Sequence, residues 1–333
     1  MELPIKEPYL SEPANDVGTP QKQRFAGAVL FLLIFLASAG VTAIYLTGDV
    51  TPAPAAEAAA AAEITGPNPY VGLNLQAQSA YVLDISDGHV LYALNPDVQL
   101  PLASLTKVPL TLAVSSALSP DALITIPYDT APAGSAERLA AGQKWKVQDV
   151  INFTLIASSN DGADILAAAA DDDIRAQYPQ APAQHATLWR MNKFAQDLGL
   201  THTYFLNDNG LDISTTQAGA YGSAHDVAVL FAYAATSAPQ VFGGTTRGGM
   251  LLTSSDGAHT SAFNTDLALG SIPGLIMGKT GYTDLAGGNL AIVFDVGPGR
   301  PVVAVVLHST QDDRFTDMKK LVAATLQAIA QGR

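Results

Sequence analysis

Ser104 and Lys107 stand three residues apart in the stretch Pro101-Leu102-Ala103-Ser104-Leu105-Thr106-Lys107, where an apolar helical run begins. Residues i and i+3 share one face of a helix, so the hydroxyl and the amine can meet. A neutral lysine so placed can take the serine proton, and the alkoxide can attack a carbonyl. A Ser-x-x-Lys arises by chance roughly once in a chain this long, so the pair gains meaning only from two triplets downstream. Ser158-Ser159-Asn160 opens an alanine-rich helical run, and Lys279-Thr280-Gly281 sits in an extended stretch. Standing alone, the middle triplet reads equally well as a helix cap, because Ser, Asn and Asp cap helix N-termini.

Taken together, the three triplets can divide the labour of acyl transfer. Lys107 must be neutral to act as base, although a free lysine titrates near 10.4. Burial beside a second cation, Lys279, would lower that value. Ser158 can relay a proton to a leaving amine, and Asn160 can orient Lys107 and a substrate amide. Lys279, Thr280 and Thr283 suit a substrate carboxylate.

The elements that must position these residues are set by pattern. Tyr81–Ile85 and Val90–Tyr92 flank an Asp87-Gly88 turn and read as a hairpin. A helix is expected from Ser104 to Leu118, kinked at Pro109, which lacks an N–H. Leu123–Pro127 reads as a short strand, and Val150–Ile156 and Asp161–Ala170 as buried helices. Asp171 to His185 reads as a polar, solvated loop, and Phe242 to Gly249 as a glycine-rich one. Leu188–Leu198, stopped by Gly199, and Ser223–Ala235, capped by Ser223, read as helices. Gly287–Val296 and Pro301–Thr310 form a hairpin around Gly297-Pro298-Gly299-Arg300. Phe315, Met318, Val322, Leu326 and Ile329 recur at helical spacing and close the chain with an amphipathic helix.

The 333 residues are 48% hydrophobic and 14% charged, which suits a globular body with a sizeable core. A net charge of −13 argues against nucleic acid as partner. There are no cysteines, and the six histidines show no metal-binding spacing, so neither a metal nor a cofactor is expected. Phe25 to Thr47 is an uncharged run of 23 residues, long enough to cross a bilayer as one helix. Lys22 and Arg24 precede it, which places residues 1–24 in the cytoplasm and the rest outside. With 24 residues before a full-length span, a retained anchor is favoured over a cleaved signal peptide. Residues 48–72 are an Ala/Pro-rich linker, and residues 73–333 form one catalytic domain.

Ser-x-x-Lys, Ser-x-Asn and Lys-Thr-Gly in this order resemble the signature of penicillin-binding proteins and serine β-lactamases. The wider chain is similar to the D-alanyl-D-alanine carboxypeptidases, the low-molecular-mass penicillin-binding proteins. Ala80–Asp84 with Asp87-Gly88 resembles their first hairpin. Asn207 to Asp212 and Ser223-Ala224-His225-Asp226 are similar to their Asn-x-x-Gly-Leu and Ser-Ala-Arg-Asp stretches. Lys279-Thr280-Gly281-Tyr282-Thr283-Asp284, followed by Ala286-Gly287, is close to their third motif. The resemblance implies a mostly antiparallel sheet flanked by helices, with a helical subdomain and the site in the cleft between them. It implies peptidoglycan stem peptides ending in D-Ala-D-Ala as substrate, β-lactams as inhibitors, and a bacterial cell membrane as location. Ser104 would be the nucleophile, and the backbone N–H groups of Ser104 and Tyr282 the oxyanion donors, beside Gly281. Such a donor is worth on the order of 3 kcal/mol in a related case.

The chain departs from the family in the Asp171–His185 segment, in Pro109, and in its N-terminal rather than C-terminal anchor. The 52 residues after Gly281 are taken up by the hairpin and helix, leaving none for the second, β-rich domain of the larger members. A class A β-lactamase needs a glutamate to activate the deacylating water, and none lies between Asn160 and Lys279. An endopeptidase of the same superfamily stays open. An inactive wall-binding protein would have no need of intact Ser104, Lys107, Ser158, Asn160 and Lys279. The topology is checked by adding protease to intact spheroplasts. Residues 64–333 should be digested; their protection, or a mature N-terminus between Ala55 and Ala62, would refute a retained anchor.

Overall fold

The computed structural model describes residues 66–128 and 139–333. The tail, the apolar run 25–47 and the linker up to residue 65 lie outside the described residues.

The described chain opens with a hairpin of β1 (Ser79–Asp84) and β2 (Val90–Leu94), turned at Gly88 with φ +75°. The short strand β3 (Leu100–Pro101) leads into a 3-10 turn, Ala103–Thr106, and helix α1 (Lys107–Ala117). β4 (Leu123–Thr125) pairs with β5 (Lys144–Lys146), which runs into α2 (Val147–Ile156). Helices α3 (Asn160–Gln177) and α4 (Ala186–Asp197) complete a helical subdomain with α1 and α2. β6 (Tyr204–Phe205) and β7 (Ala220–Gly222) form a small sheet with β3. Then come α5 (Ala224–Ser237), α6 (Pro239–Phe242) and the hairpin β8 (Gly249–Thr253)/β9 (His259–Phe263). β10 (Leu275–Thr283), β11 (Gly287–Asp295), β12 (Pro301–Ser309) and α7 (Asp313–Ala330) end the chain.

The main sheet is antiparallel, ordered β10-β11-β12-β1-β2, so the last hairpin pairs with the first through Tyr81 opposite Val305. Successive side chains of a strand point to opposite faces, and here both faces are covered. Val302, Ala304 and Val306 pack with Phe315, Met318 and Leu321 of α7. Val303, Val305 and Leu307 join Val227 and Phe231 of α5 in the larger core. Burial on both sides explains the unbroken apolar run of β12. Each such large side chain contributes roughly 1.5–3 kcal/mol. The expected mixed fold, an antiparallel sheet flanked by helices with a helical subdomain, is the fold observed.

Local departures have physical causes. Pro109 makes no break, because α1 starts at Lys107 and its third residue lies in the first turn, where N–H groups lack intrahelical partners. Asp171–Asp173 are not loop: α3 runs on to Gln177 because Leu166, Ala170 and Ile174 continue its buried stripe. The Asp171 carboxylate then serves the start of α4, accepting from the N–H of His185 at 3.1 Å and of Thr187 at 2.8 Å. Phe242–Gly249 is mostly helical, with α6 ending at buried Phe242 and a 3-10 turn over Gly243–Thr246. The β8/β9 hairpin carries no clear alternation in sequence. Only Leu252 and Ala262 are buried, while Leu251 and Phe263 are exposed.

Both ends of the described chain meet at α7. Tyr70 donates its hydroxyl to Thr325 Oγ1 at 2.9 Å and stacks on Tyr92. The buried Asp317 carboxylate accepts from the N–H groups of Gln76 and Ala77 and from Ser309 Oγ, at 2.8–3.1 Å. Asp317→Ala leaves those donors without an acceptor and should lower the unfolding free energy by about 3 kcal/mol in a urea titration. Asp317→Asn, which keeps an acceptor, should lose about half as much. A loss under about 1 kcal/mol in the alanine variant would refute the staple.

Candidate active site

Ser104 lies in the 3-10 turn and Lys107 is the first residue of α1. The turn is tight: Ala103 has φ +47°, and Thr106 Oγ1 donates to the Ala103 carbonyl at 2.7 Å. Gly210 packs against that carbonyl so closely that an added methyl would stand 2.1 Å from the oxygen, and its φ of +82° also demands glycine. The Lys107 side chain is fully buried. Its amine lies 2.8 Å from Ser104 Oγ, 2.8 Å from Asn160 Oδ1 and 2.7 Å from the Asn209 carbonyl.

Those three partners decide what the amine can do. A carbonyl and an amide oxygen only accept, so they take two N–H bonds. A neutral amine has two N–H bonds and one lone pair, which is left for the one neighbour with a proton to give, the Ser104 hydroxyl. Burial brings the Lys107 amine down from the ordinary 10.5 to about 7, against the pull of the Asp164 carboxylate. The neutral base is thus populated near neutral pH. The unfolded chain binds more protons between about pH 7 and 10.5, so the stability cost of burying this amine is relieved as pH rises through that window.

Ser158 and Asn160 straddle the start of α3. Ser159 is the cap, its Oγ accepting from the Gly162 N–H at 3.0 Å. Ser158 precedes it with φ +57°, a conformation uncommon for a side-chain-bearing residue. Its hydroxyl accepts from Lys279 Nζ at 2.8 Å, and Lys279 also donates to the Thr280 carbonyl. Lys279 is buried too. Burial holds its amine well below the ordinary lysine value, with repulsion from Lys107 and Arg314 adding to it and Asp266 opposing. Of the expected causes, burial is the leading one at both amines, while the repulsion between them bears on Lys279 and not on Lys107.

β10 is an edge strand that passes the turn carrying Ser104. A methyl on Gly281 would lie 2.8 Å from the Leu102 carbonyl and 3.2 Å from the Ser104 nitrogen, so only glycine lets the strand come this near. Arg314 of α7 donates to the Gly281 carbonyl at 2.9 Å. Tyr282 follows Gly281 on the strand and is half exposed. Thr280 Oγ1 lies 2.5 Å from Thr265 Oγ1. Thr283 is placed otherwise than expected: its hydroxyl donates to Asp212 and accepts from the Ala286 N–H, closing the β10–β11 turn.

Sequence reading missed the Asn209 carbonyl, Asp212, Thr265 and Arg314. Backbone acceptors carry no side-chain signature, and Arg314 looks like any charge at the start of a helix. Asn207–Asp212 is visible in the sequence as a turn cluster, without its role. Among the described residues no His, Asp or Glu cluster suits a metal ion.

A model of the D-alanyl-D-alanine carboxypeptidase family matches residues 63–311. The chain is 31% identical over 211 residues to a D-alanyl-D-alanine carboxypeptidase of Mycobacterium tuberculosis, covering 63% of this chain and 67% of that protein. It is 28% identical over 261 residues to one from Bacillus subtilis, covering 74% of this chain but only 61% of that protein's length. Among solved structures, penicillin-binding protein D2 of Listeria monocytogenes, in an ampicillin-bound form, superposes with a TM-score of 0.62 at 28% identity. That superposition covers 78% of this chain and 99% of the Listeria chain.

If Lys107 is the base, Lys107→Arg and Lys107→Ala should each slow acylation of Ser104 by at least about a hundredfold, since arginine stays protonated. The wild-type acylation rate should rise with pH through a midpoint near 7, measured by stopped-flow with a fluorescent penicillin. Near-normal acylation of Lys107→Arg would remove Lys107 from that role.

Proposed function

The chain belongs to the D-alanyl-D-alanine carboxypeptidase family, and from that premise we propose that it removes the terminal D-alanine from peptidoglycan stem peptides through an acyl-enzyme on Ser104. The observation that carries this reading is the buried Lys107 amine, 2.8 Å from Ser104 Oγ with its other two partners able only to accept. Lys107 takes the Ser104 proton as Oγ attacks the penultimate D-Ala carbonyl. The N–H groups of Ser104 and Tyr282 receive the developing oxyanion. The leaving amine takes a proton through Ser158, and D-alanine departs. Water then attacks the ester, and the shortened peptide leaves with Ser104 restored.

Lys279 and Thr280 receive the substrate's terminal carboxylate. An arriving carboxylate favours the ammonium form of a buried lysine, which opposes the effect of burial at Lys279. The uncharged run Phe25–Thr47 behind Lys22 and Arg24 supports a membrane-anchored enzyme with residues 73–333 on the outer side.

The test is incubation of the protein with a pentapeptide ending in D-Ala-D-Ala. D-Alanine release by wild type, and none by Ser104→Ala, is the expected result. Cleavage of a cross-linked dimer without D-alanine release would favour the endopeptidase reading. Penicillin should leave a lasting adduct on the peptide containing Ser104, because its leaving amine stays tethered and no glutamate between Asn160 and Lys279 activates water. Rapid penicillin turnover with no trapped adduct, seen by mass spectrometry, would make the protein a β-lactamase instead.

A further inference from the structure

Asp164 lies one helical turn beyond Asn160 on α3, on the same face. Its Oδ1 accepts from Asn209 Nδ2 at 2.9 Å. The Asn209 Oδ1 accepts from the Leu211 N–H within its own turn. The backbone carbonyl of the same Asn209 accepts from Lys107 Nζ at 2.7 Å. One turn of α3 therefore touches the base twice, directly through Asn160 and through Asn209 by way of Asp164. We propose that Asp164 is a positioning residue for acylation: it holds the Asn209 carbonyl against the Lys107 amine.

The inference rests on Lys107 acting as the base, and goes beyond it in assigning what aims that base. Without the Asn209 carbonyl fixed in place, one N–H of the neutral amine loses its acceptor and the lone pair is no longer confined to the Ser104 direction. The charge acts in the same sense, because a carboxylate near a buried amine favours its ammonium form. Lys279 on β10 and Arg314 on α7 also face this region, and the Lys279 amine is itself held low by burial with Lys107 and Arg314 nearby. The other acids in the neighbourhood are Asp161 and Asp171 of α3 and Asp208 in the loop, with His185 at the head of α4. Burial, with Asp171 and Asp164 nearby, pushes the Asp208 carboxyl up to about 7, so it is a weaker source of charge at neutral pH. Asp164 itself lines an open cavity of about 580 Å³ with Asp171, Asp208 and His185. Its carboxylate opens on that cavity, where salt screens it, and partial burial raises its own carboxyl above the ordinary value, against the Asn209 hydrogen bond and Lys107, so the effect on Lys107 is modest.

The test measures acylation of the full chain by a fluorescent penicillin from pH 5.5 to 9, for wild type, Asp164→Asn and Asp164→Ala. Asp164→Asn keeps an acceptor for Asn209 but loses the charge. Its acid limb should move down by about half a unit, with the alkaline plateau within about twofold of wild type. Asp164→Ala should show the same movement and a plateau lower by about tenfold. Raising the salt to 1 M should shrink the gap between the wild-type and Asp164→Asn limbs. If both variants superimpose on wild type in limb and plateau, the inference is wrong. If Asp164→Ala does not fold, as judged by the loss of a cooperative melting transition, the limb of Asp164→Asn decides alone. Acylation by penicillin without D-alanine release from peptides would overturn the proposed substrate and leave this comparison intact. No acylation of wild type at all would overturn both.

Discussion

Everything at this site depends on keeping one amine dry. Lys107 is fully buried, and the groups in contact with its Nζ are a hydroxyl, an amide oxygen and a backbone carbonyl, none of them charged. A carboxylate in direct contact would pair with the ammonium and hold the proton there. Neutral acceptors satisfy the N–H bonds without that penalty, so burial can bring the amine to about 7 while its donors stay paired. The start of α1, the start of α3 and the Asn207–Asp212 loop are each needed to supply one wall of this enclosure.

The second requirement is closeness of backbone to backbone. The edge strand β10 must run beside the turn carrying Ser104, and the loop at Gly210 must press on the carbonyl just before Ser104. Both approaches leave no room for a Cβ. Ala103, just before Ser104, and Ser158, the first residue of the middle motif, adopt positive φ. Such conformations persist when surrounding structure over-determines them. Here Thr106 and Gly210 clamp the first, and Lys279 on the Ser158 hydroxyl clamps the second. The main sheet provides the rigid side of the cleft. Its inner strands are buried on both faces, and α7 anchors β10 through the Arg314 bond to Gly281.

Much of the fold is legible in the sequence because the main elements are patterned locally. The first and last hairpins announce themselves by turn residues between apolar runs, and α7 by its helical stripe. Sequence and structure part where pattern and polarity disagree. Asp171–Asp173 look like solvated loop, yet Ile174 continues the buried stripe of α3 four residues after Ala170. Pro109 looks like a helix breaker only if the helix begins at Ser104 rather than Lys107. The β8/β9 hairpin escapes notice because its solvent face carries Leu251 and Phe263, so the apolar residues do not alternate although burial does.

The sequence by itself determined the family: Ser104 and Lys107, Ser158 and Asn160, and Lys279 stand in three short motifs whose residue types and order are those of acyl-transfer enzymes. It also determined the strands and helices that carry them, since propensity, turns and periodicity act over a few residues. Only the tertiary structure decided how these groups meet. It turned the Thr283 hydroxyl to Asp212, brought the Asn209 carbonyl to Lys107 and set Asp164 behind it. Those contacts join residues from about 45 to more than 100 positions apart, and a backbone carbonyl is the same in every residue type. Hydrogen-bond direction and burial are properties of the packed molecule, so no local pattern can encode which acceptor a buried amine finds.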